Sequence, residues 1–131
     1  MPQMTMAYDP NDGILIEVEF RCPGTPSVQT APVTLMVDTG ARRTHVTSQI
    51  ADFFQLPLRG QRRVVTADSS RLMDTWTTDI VIPALPMTFP DILVTDFLTP
   101  NRNYAGVLGR DILSNGVLHV DGPNRTVTLG F

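Results

Sequence analysis

An all-β fold is predicted for this chain by three observations. The 131 residues are 42% apolar, enough for one domain with a real but small core. Eleven Pro and nine Gly divide the apolar residues into short segments. Where those segments show a period it is mostly the alternation of strands, at Ile14, Ile16, Val18 and Phe20 and again at Val127, Leu129 and Phe131.

The elements follow in order. Residues 1–12 are expected to be an N-terminal tail ahead of a single domain spanning 13–131, because Asp9-Pro10-Asn11-Asp12-Gly13 is turn chemistry. Residues 14–21 read as the first strand, with Leu15, Glu17 and Glu19 on its other face. After a loop at Pro23, Gly24 and Pro26, the near-continuous apolar run Val33-Thr34-Leu35-Met36-Val37 predicts a buried strand ending at Asp38. Thr47 or Ser48 can cap a short helix with Ile50, Phe53 and Phe54 on one face, stopped by Pro57. Residues 63–67 and 71–82 predict a hairpin joined at Asp68-Ser69-Ser70. Pro83 to Pro90 interrupts the pattern, and Ile92-Leu93-Val94 resumes it. A strand over 104–108 follows the loop Pro100 to Asn103 and leads into Gly109. A helix of barely two turns over 110–114 has Asp111 in its first turn and Asn115-Gly116 as a left-handed stop. A hairpin around residues 121–124 closes the chain.

Composition excludes several function classes. A formal charge of −3, with all ten basic residues Arg, gives no basic surface for nucleic acid, and the pairs Arg42-Arg43 and Arg62-Arg63 are too small to change that. Cys22 is the only cysteine, so no intrachain disulfide or cysteine-ligated metal site can form. It reads as a partly buried structural thiol. Met1 to Gly13 lacks the pattern of a signal peptide, and no apolar stretch approaches a membrane span. The expectation is a soluble cytoplasmic protein, or a soluble domain excised from a larger one, that engages no membrane.

Two segments carry chemistry. Leu35-Met36-Val37-Asp38-Thr39-Gly40-Ala41 puts a carboxylate in a tight Gly turn after an apolar strand, and Val107-Leu108-Gly109-Arg110-Asp111-Ile112-Leu113 answers it downstream. Together they resemble the retropepsin-like aspartic proteases, the single-domain family of retroviral proteases and related dimers. The resemblance covers residues 33–131. It implies a closed or partly open β-barrel with one or two short helices, and an aspartic endopeptidase needing neither metal nor cofactor.

The physical reading agrees. Hydrolysis by this chemistry needs two carboxylates side by side, whereas Asp-Thr-Gly occurs once. A two-fold axis solves this by bringing Asp38 against its own copy in a symmetric homodimer. Two acids that close share one proton, so that one activates a water while the other polarises the scissile carbonyl of an extended peptide or unfolded protein.

By the same resemblance, Asp38 is the catalytic residue and Thr39, Gly40 and Ala41 form its loop, the Thr39 hydroxyl bonding across the dimer axis. Val65, Thr66, Ala67, Asp68 and Ser69 stand where the family's flap closes over the peptide. Val107 and Leu108 are expected beside the site as substrate-binding residues, with Gly109, Arg110 and Asp111 as its structural support. The last strand, Thr126 to Phe131, is expected to help hold the dimer through an unpaired edge.

Departures from the family pattern are visible. Arg42-Arg43 replace acidic residues that would pair with Arg110, leaving Asp111 or a second-chain carboxylate as its partner, and the flap turn contains no Gly. Two other readings are therefore open: a catalytically impaired dimerisation or peptide-binding module, and a generic β-barrel binding domain in which Asp-Thr-Gly is incidental. His45 and His119 lack partners at catalytic or metal spacing. Trp76 reads most simply as a half-buried sheet residue, and Asp74, Asp79, Asp91 and Asp96 read as solvated.

Overall fold

The computed structural model describes residues 2–24, 31–97 and 103–131. Its strands are β1 (Gln3–Ala7), β2 (Leu15–Arg21), β3 (Val33–Val37), β4 (His45–Val46), β5 (Leu58–Val65), β6 (Ser70–Ile82), β7 (Met87–Asp96), β8 (Gly106–Leu108), β9 (Val117–Asp121) and β10 (Thr126–Gly130). Two short helices, α1 (Ser48–Phe53) and α2 (Arg110–Leu113), complete it. The expected loops at Pro26 and at Pro100 to Arg102 lie outside the described residues. No helix among the described residues is long and apolar enough to cross a membrane.

Alternation on β2 turns Ile16, Val18 and Phe20 inward, all nearly or fully buried. Such a face needs a closed surface to pack against. The main sheet supplies it: strands run β2-β3-β8-β4-β7-β6, and β2 pairs again with β6, closing a barrel of six strands. Closure leaves no edge in the ring and explains why Leu35, Ile80, Ile82, Val94, Leu108 and Ile112 share one core. Strand β5 pairs with β6 alone and extends the ring as a hairpin.

A second sheet, ordered β1-β10-β9, packs Leu129 into the core. This corrects two expectations. Residues 3–7 are not a detached tail, since they form β1 and pair with β10 over five positions. Nor does β10 offer a free edge, because β1 and β9 flank it; the open edges of this sheet belong to β1 and β9.

Other boundaries moved for identifiable reasons. Helix α1 ends when Gln55 takes a left-handed conformation (φ 52°) and the Leu56 N–H bonds the Ala51 carbonyl, before Pro57 is reached. It buries Ala51, and Phe54 at its C-cap is buried too, while Phe53 stays 52% exposed with its ring edge-on to Phe54. Pro90 sits within β7, at a bulge where Pro90 and Asp91 oppose Asp79. Having no N–H to offer the ladder, a proline fits there. The Asp79 carboxylate accepts the Asp91 N–H at 2.9 Å, so it closes the bulge rather than being merely solvated. After α2, neither Asn115 nor Gly116 is left-handed. Gly116 is needed for space instead, since a Cβ there would lie 2.2 Å from the Gly130 carbonyl oxygen.

Gly106 is the tightest point of the barrel, where β8 crosses β4. A Cβ at this position would lie 2.0 Å from the His45 carbonyl oxygen, a backbone atom that cannot yield. Gly106→Ala is expected to lower unfolding free energy by about 3 kcal/mol or more, the upper end of overpacking costs. Gly122→Ala, which meets nothing within 4 Å, should change it by no more than about 0.5 kcal/mol. Urea unfolding of the two variants checks the contrast.

Candidate active site

Strand β3 is central in the ring, paired antiparallel with β2 and parallel with β8. The parallel register sets Met36 against Val107 and Val37 against Leu108. It carries on for one more residue: the Asp38 N–H donates to the Leu108 carbonyl at 3.0 Å. The carboxylate therefore stands at the end of the β3–β8 seam. Its own turn orients it, with the Gly40 N–H donating to Asp38 Oδ1 at 2.9 Å and the Ala41 N–H to the Asp38 carbonyl at 3.2 Å. A Cβ on Gly40 would come within 3.1 Å of Oδ1, which is why this position suits glycine. Asp38 is half-buried, and Thr39 and Gly40 are exposed.

A buried brace lies behind the loop. Thr44 is fully buried; its N–H donates to Asp111 Oδ2 at 3.0 Å and its hydroxyl to Asp111 Oδ1 at 2.8 Å. The same Thr44 oxygen accepts the Gly109 N–H at 3.1 Å. The Arg110 N–H donates to the Ala41 carbonyl at 2.9 Å. Gly109 permits this approach, since a Cβ there would lie 2.4 Å from the Arg43 carbonyl oxygen. Asp111 is thus committed to Thr44 and is not the ion partner of Arg110. Among the described residues the only ion pair joins Arg21 to Glu19, so the exposed Arg110 works through its backbone.

Asp38, Ala41 and Val107 share a cleft of about 440 Å³ with Thr66, Asp68 and Ser69 of the β5–β6 hairpin. Strands that are distant in sequence thus bring the loop and the hairpin tip together. Val65, 74% exposed, lines a neighbouring cleft, and Ala67 lines neither. Leu108, expected among the substrate-binding residues, is fully buried and lines neither cleft; it supports the loop through its carbonyl. The glycine-free turn is made by Thr66 and Ser69. The Thr66 N–H donates to the Ser69 carbonyl at 2.8 Å, and the Ser69 N–H donates to Thr66 Oγ1 at 3.1 Å. Glycine enters instead at the hairpin's base, where Gly60 (φ 97°) marks the β5–β6 bulge.

Sequence reasoning passed over His45, Asp96 and Phe97, which line the same cleft. No spacing signal links them, because β4 and β7 meet only by parallel pairing, with Val46 opposite Asp96. His45 Nδ1 lies 3.1 Å from the Asp96 carbonyl. Asp96 is half-buried, not solvated; burial pushes its carboxyl above the usual range, with the Asp74 charge adding to the rise and the Phe97 and Ser48 N–H groups and His45 opposing it. His119 is exposed on β9, Cys22 is half-buried, and Trp76 is buried, 6% exposed, in the core.

The fold is that of the retropepsin-like aspartic proteases. The chain superposes on a retropepsin-like aspartic protease from Rickettsia conorii with a TM-score of 0.66 at 18% identity, over 98% of this chain and 90% of that one. It superposes on the EIAV protease complexed with the inhibitor HBY-793 with a TM-score of 0.60 at 17% identity, over 84% and 93%. No protein-family model and no curated protein matches the sequence.

Two outcomes test the site's construction. Thr44→Val removes a hydroxyl that serves both Asp111 and the Gly109 N–H, and should cost about 1–3 kcal/mol in denaturant unfolding. For Asp96, a raised folded-state pKa means that its contribution to stability is complete below the unfolded value of 3.8 and is lost as pH rises through the folded value. Asp96→Asn should therefore be more stable than the parent at pH 7, the difference shrinking as pH falls toward 3.8. Thermal melts across that range read it directly.

Proposed function

We propose that two copies of this chain form an aspartic endopeptidase, with one Asp38 from each at a shared two-fold axis. The observation that carries this reading is the setting of Asp38: a half-buried carboxylate at the end of the β3–β8 seam, held by its own Gly turn and facing a cleft under a hairpin. One carboxyl, ionised, takes a proton from the attacking water. The other, protonated, donates to the carbonyl oxygen of the scissile bond, and their roles exchange by symmetry. The proton then passes to the leaving nitrogen. This chemistry calls for no metal or cofactor.

The exposed Thr39 is free to bond across the axis, which would tie the two loops together. The β5–β6 hairpin acts as the flap: Gly60 supplies a backbone break at its base, and the Thr66–Ser69 turn presents exposed backbone to an extended peptide. The brace of Thr44 and Asp111 keeps the loop from yielding when the flap closes. The subunits meet in part at the open edges of the second sheet, where β9 exposes Val117 (59%) and Val120 (46%).

Asp38→Asn should leave thermal unfolding nearly unchanged and lower kcat/KM on an unstructured polypeptide by roughly 10²- to 10⁴-fold, the range that general acid–base groups supply. For the parent, specific activity should fall on dilution as the pair dissociates, and kcat/KM should trace a bell against pH whose limbs belong to the pair. A dimer that binds peptide and never cuts it, or residual cleavage equal in Asp38→Asn, overturns the assignment.

A further inference from the structure

Beside the Asp38 cleft lies a second one, of about 480 Å³, lined by Arg42 and Arg43 of the loop after Asp38 and by Arg62 and Arg63 of β5. The two clefts share Ala41, His45 and Val64 as a common wall. Their charges differ. Asp38, Asp68 and Asp96 line the first, against the single cation Arg71. The second gathers four of the chain's ten basic residues and no carboxylate. Among the described residues none of the four guanidinium groups has an ion pair, and Arg63 donates instead to the Ser70 hydroxyl at 3.0 Å.

Concentrating like charges in one cleft of a chain whose net charge is −3 costs repulsion, which no ion pair among the described residues offsets at these four arginines. A second observation points the same way. Thr95, fully buried, lines this cleft, and its Oγ1 has no hydrogen-bond partner. A buried hydroxyl left unpaired costs about 1–3 kcal/mol. Neighbours on a strand point to opposite faces, so Arg42 and Arg43, one arginine of the β5 pair and a spare hydroxyl donor together suit a carboxylate. The Arg43 carbonyl lies close against Gly109, and the β5–β6 register sets Arg62 opposite Met73 and Arg63 opposite Leu72.

We infer that this cleft is a specificity subsite for an acidic side chain, Asp or Glu, of the peptide, close to the bond that is cut. The inference rests on the endopeptidase reading above and names its substrate class. An acidic residue seated there meets a guanidinium group from the flap on one side and those of the Asp38 loop on the other, so its binding favours flap closure. The same residue in the Asp38 cleft would face three carboxylates. The difference in charge sets the register of the peptide as well as its affinity.

The test uses peptides blocked at both ends, so that the one carboxylate is a side chain: a single Glu is placed in turn at each position around a central apolar pair, with Gln in matched controls. At pH of about 6, where Glu is ionised, the Glu/Gln ratio of kcat/KM should reach roughly fivefold to tenfold at one position, as a charge-assisted hydrogen bond at a partly exposed site allows. That ratio should fall toward one in Arg62→Gln/Arg63→Gln and in Arg42→Gln/Arg43→Gln, and on raising salt from roughly 0.05 to 0.5 M. Thr95→Val should lower it in part while raising thermal stability.

Binding of the same peptides to Asp38→Asn, followed by fluorescence anisotropy, separates this inference from the one beneath it. Tighter Glu binding without cleavage by the parent keeps the subsite and removes the enzyme. Cleavage with no Glu preference at any position, or a preference that survives both arginine double substitutions, removes the subsite and keeps the enzyme. Arginine substitutions that disperse the dimer in sedimentation and abolish cleavage of the Glu and Gln peptides alike would assign the cleft to a carboxylate of the second copy instead, and also overturn it.

Discussion

Parallel pairing of β3 with β8 is the constraint on which the remaining structure depends. Strands joined in parallel require a long crossover, and here the intervening chain, from the Asp38 loop to β7, builds most of the barrel wall. The pairing continues past β3 through the Asp38 N–H, so the position of the carboxylate is set by main-chain geometry and not by side-chain contacts that could rearrange. Because β8 leads directly into α2, the same seam delivers Gly109, Arg110 and Asp111 to the back of the loop.

That delivery accounts for a departure that seemed costly in the sequence. Without acidic residues after Ala41, Arg110 has no local ion partner, yet the loop is still supported by a threonine hydroxyl, a carboxylate and three backbone N–H groups. Buried hydrogen bonds to a carboxylate are short, directional and stronger than a solvent-exposed ion pair. The arginines at 42 and 43 are thereby free of a structural duty at the loop. Opposite them Arg62 and Arg63 stand on β5, and the cleft between is the one proposed above for recognition.

The β5–β6 hairpin follows the same logic of substitution. Its turn needs no glycine because Thr66 and Ser69 close it with side-chain and main-chain bonds. Left-handed backbone is moved to Gly60, at the base, where a bulge can absorb a change of angle. A stiff tip on a yielding base is what the proposed closure of this hairpin as a unit calls for.

Much of this was legible in order along the chain. Short alternating segments cut by Pro and Gly specify strands because period two is imposed by the pleat, and β2, β6 and β10 emerged close to where the pattern put them. The pairing of an apolar strand ending in Asp-Thr-Gly with Val107-Leu108-Gly109 pointed to the barrel and to its seam. What the chain order could not express is adjacency across the closed ring. The embedding of residues 3–7 as β1, the burial of Leu108, the Thr44–Asp111 brace, and the meeting of His45 with Asp96 all depend on which strands lie side by side. Arg42-Arg43 and Arg62-Arg63 are two unremarkable pairs in the sequence. They become one cationic cleft only because barrel closure carries the β5–β6 hairpin back over the Asp38 loop, and long-range electrostatics answers to distance in space and not to separation along the chain.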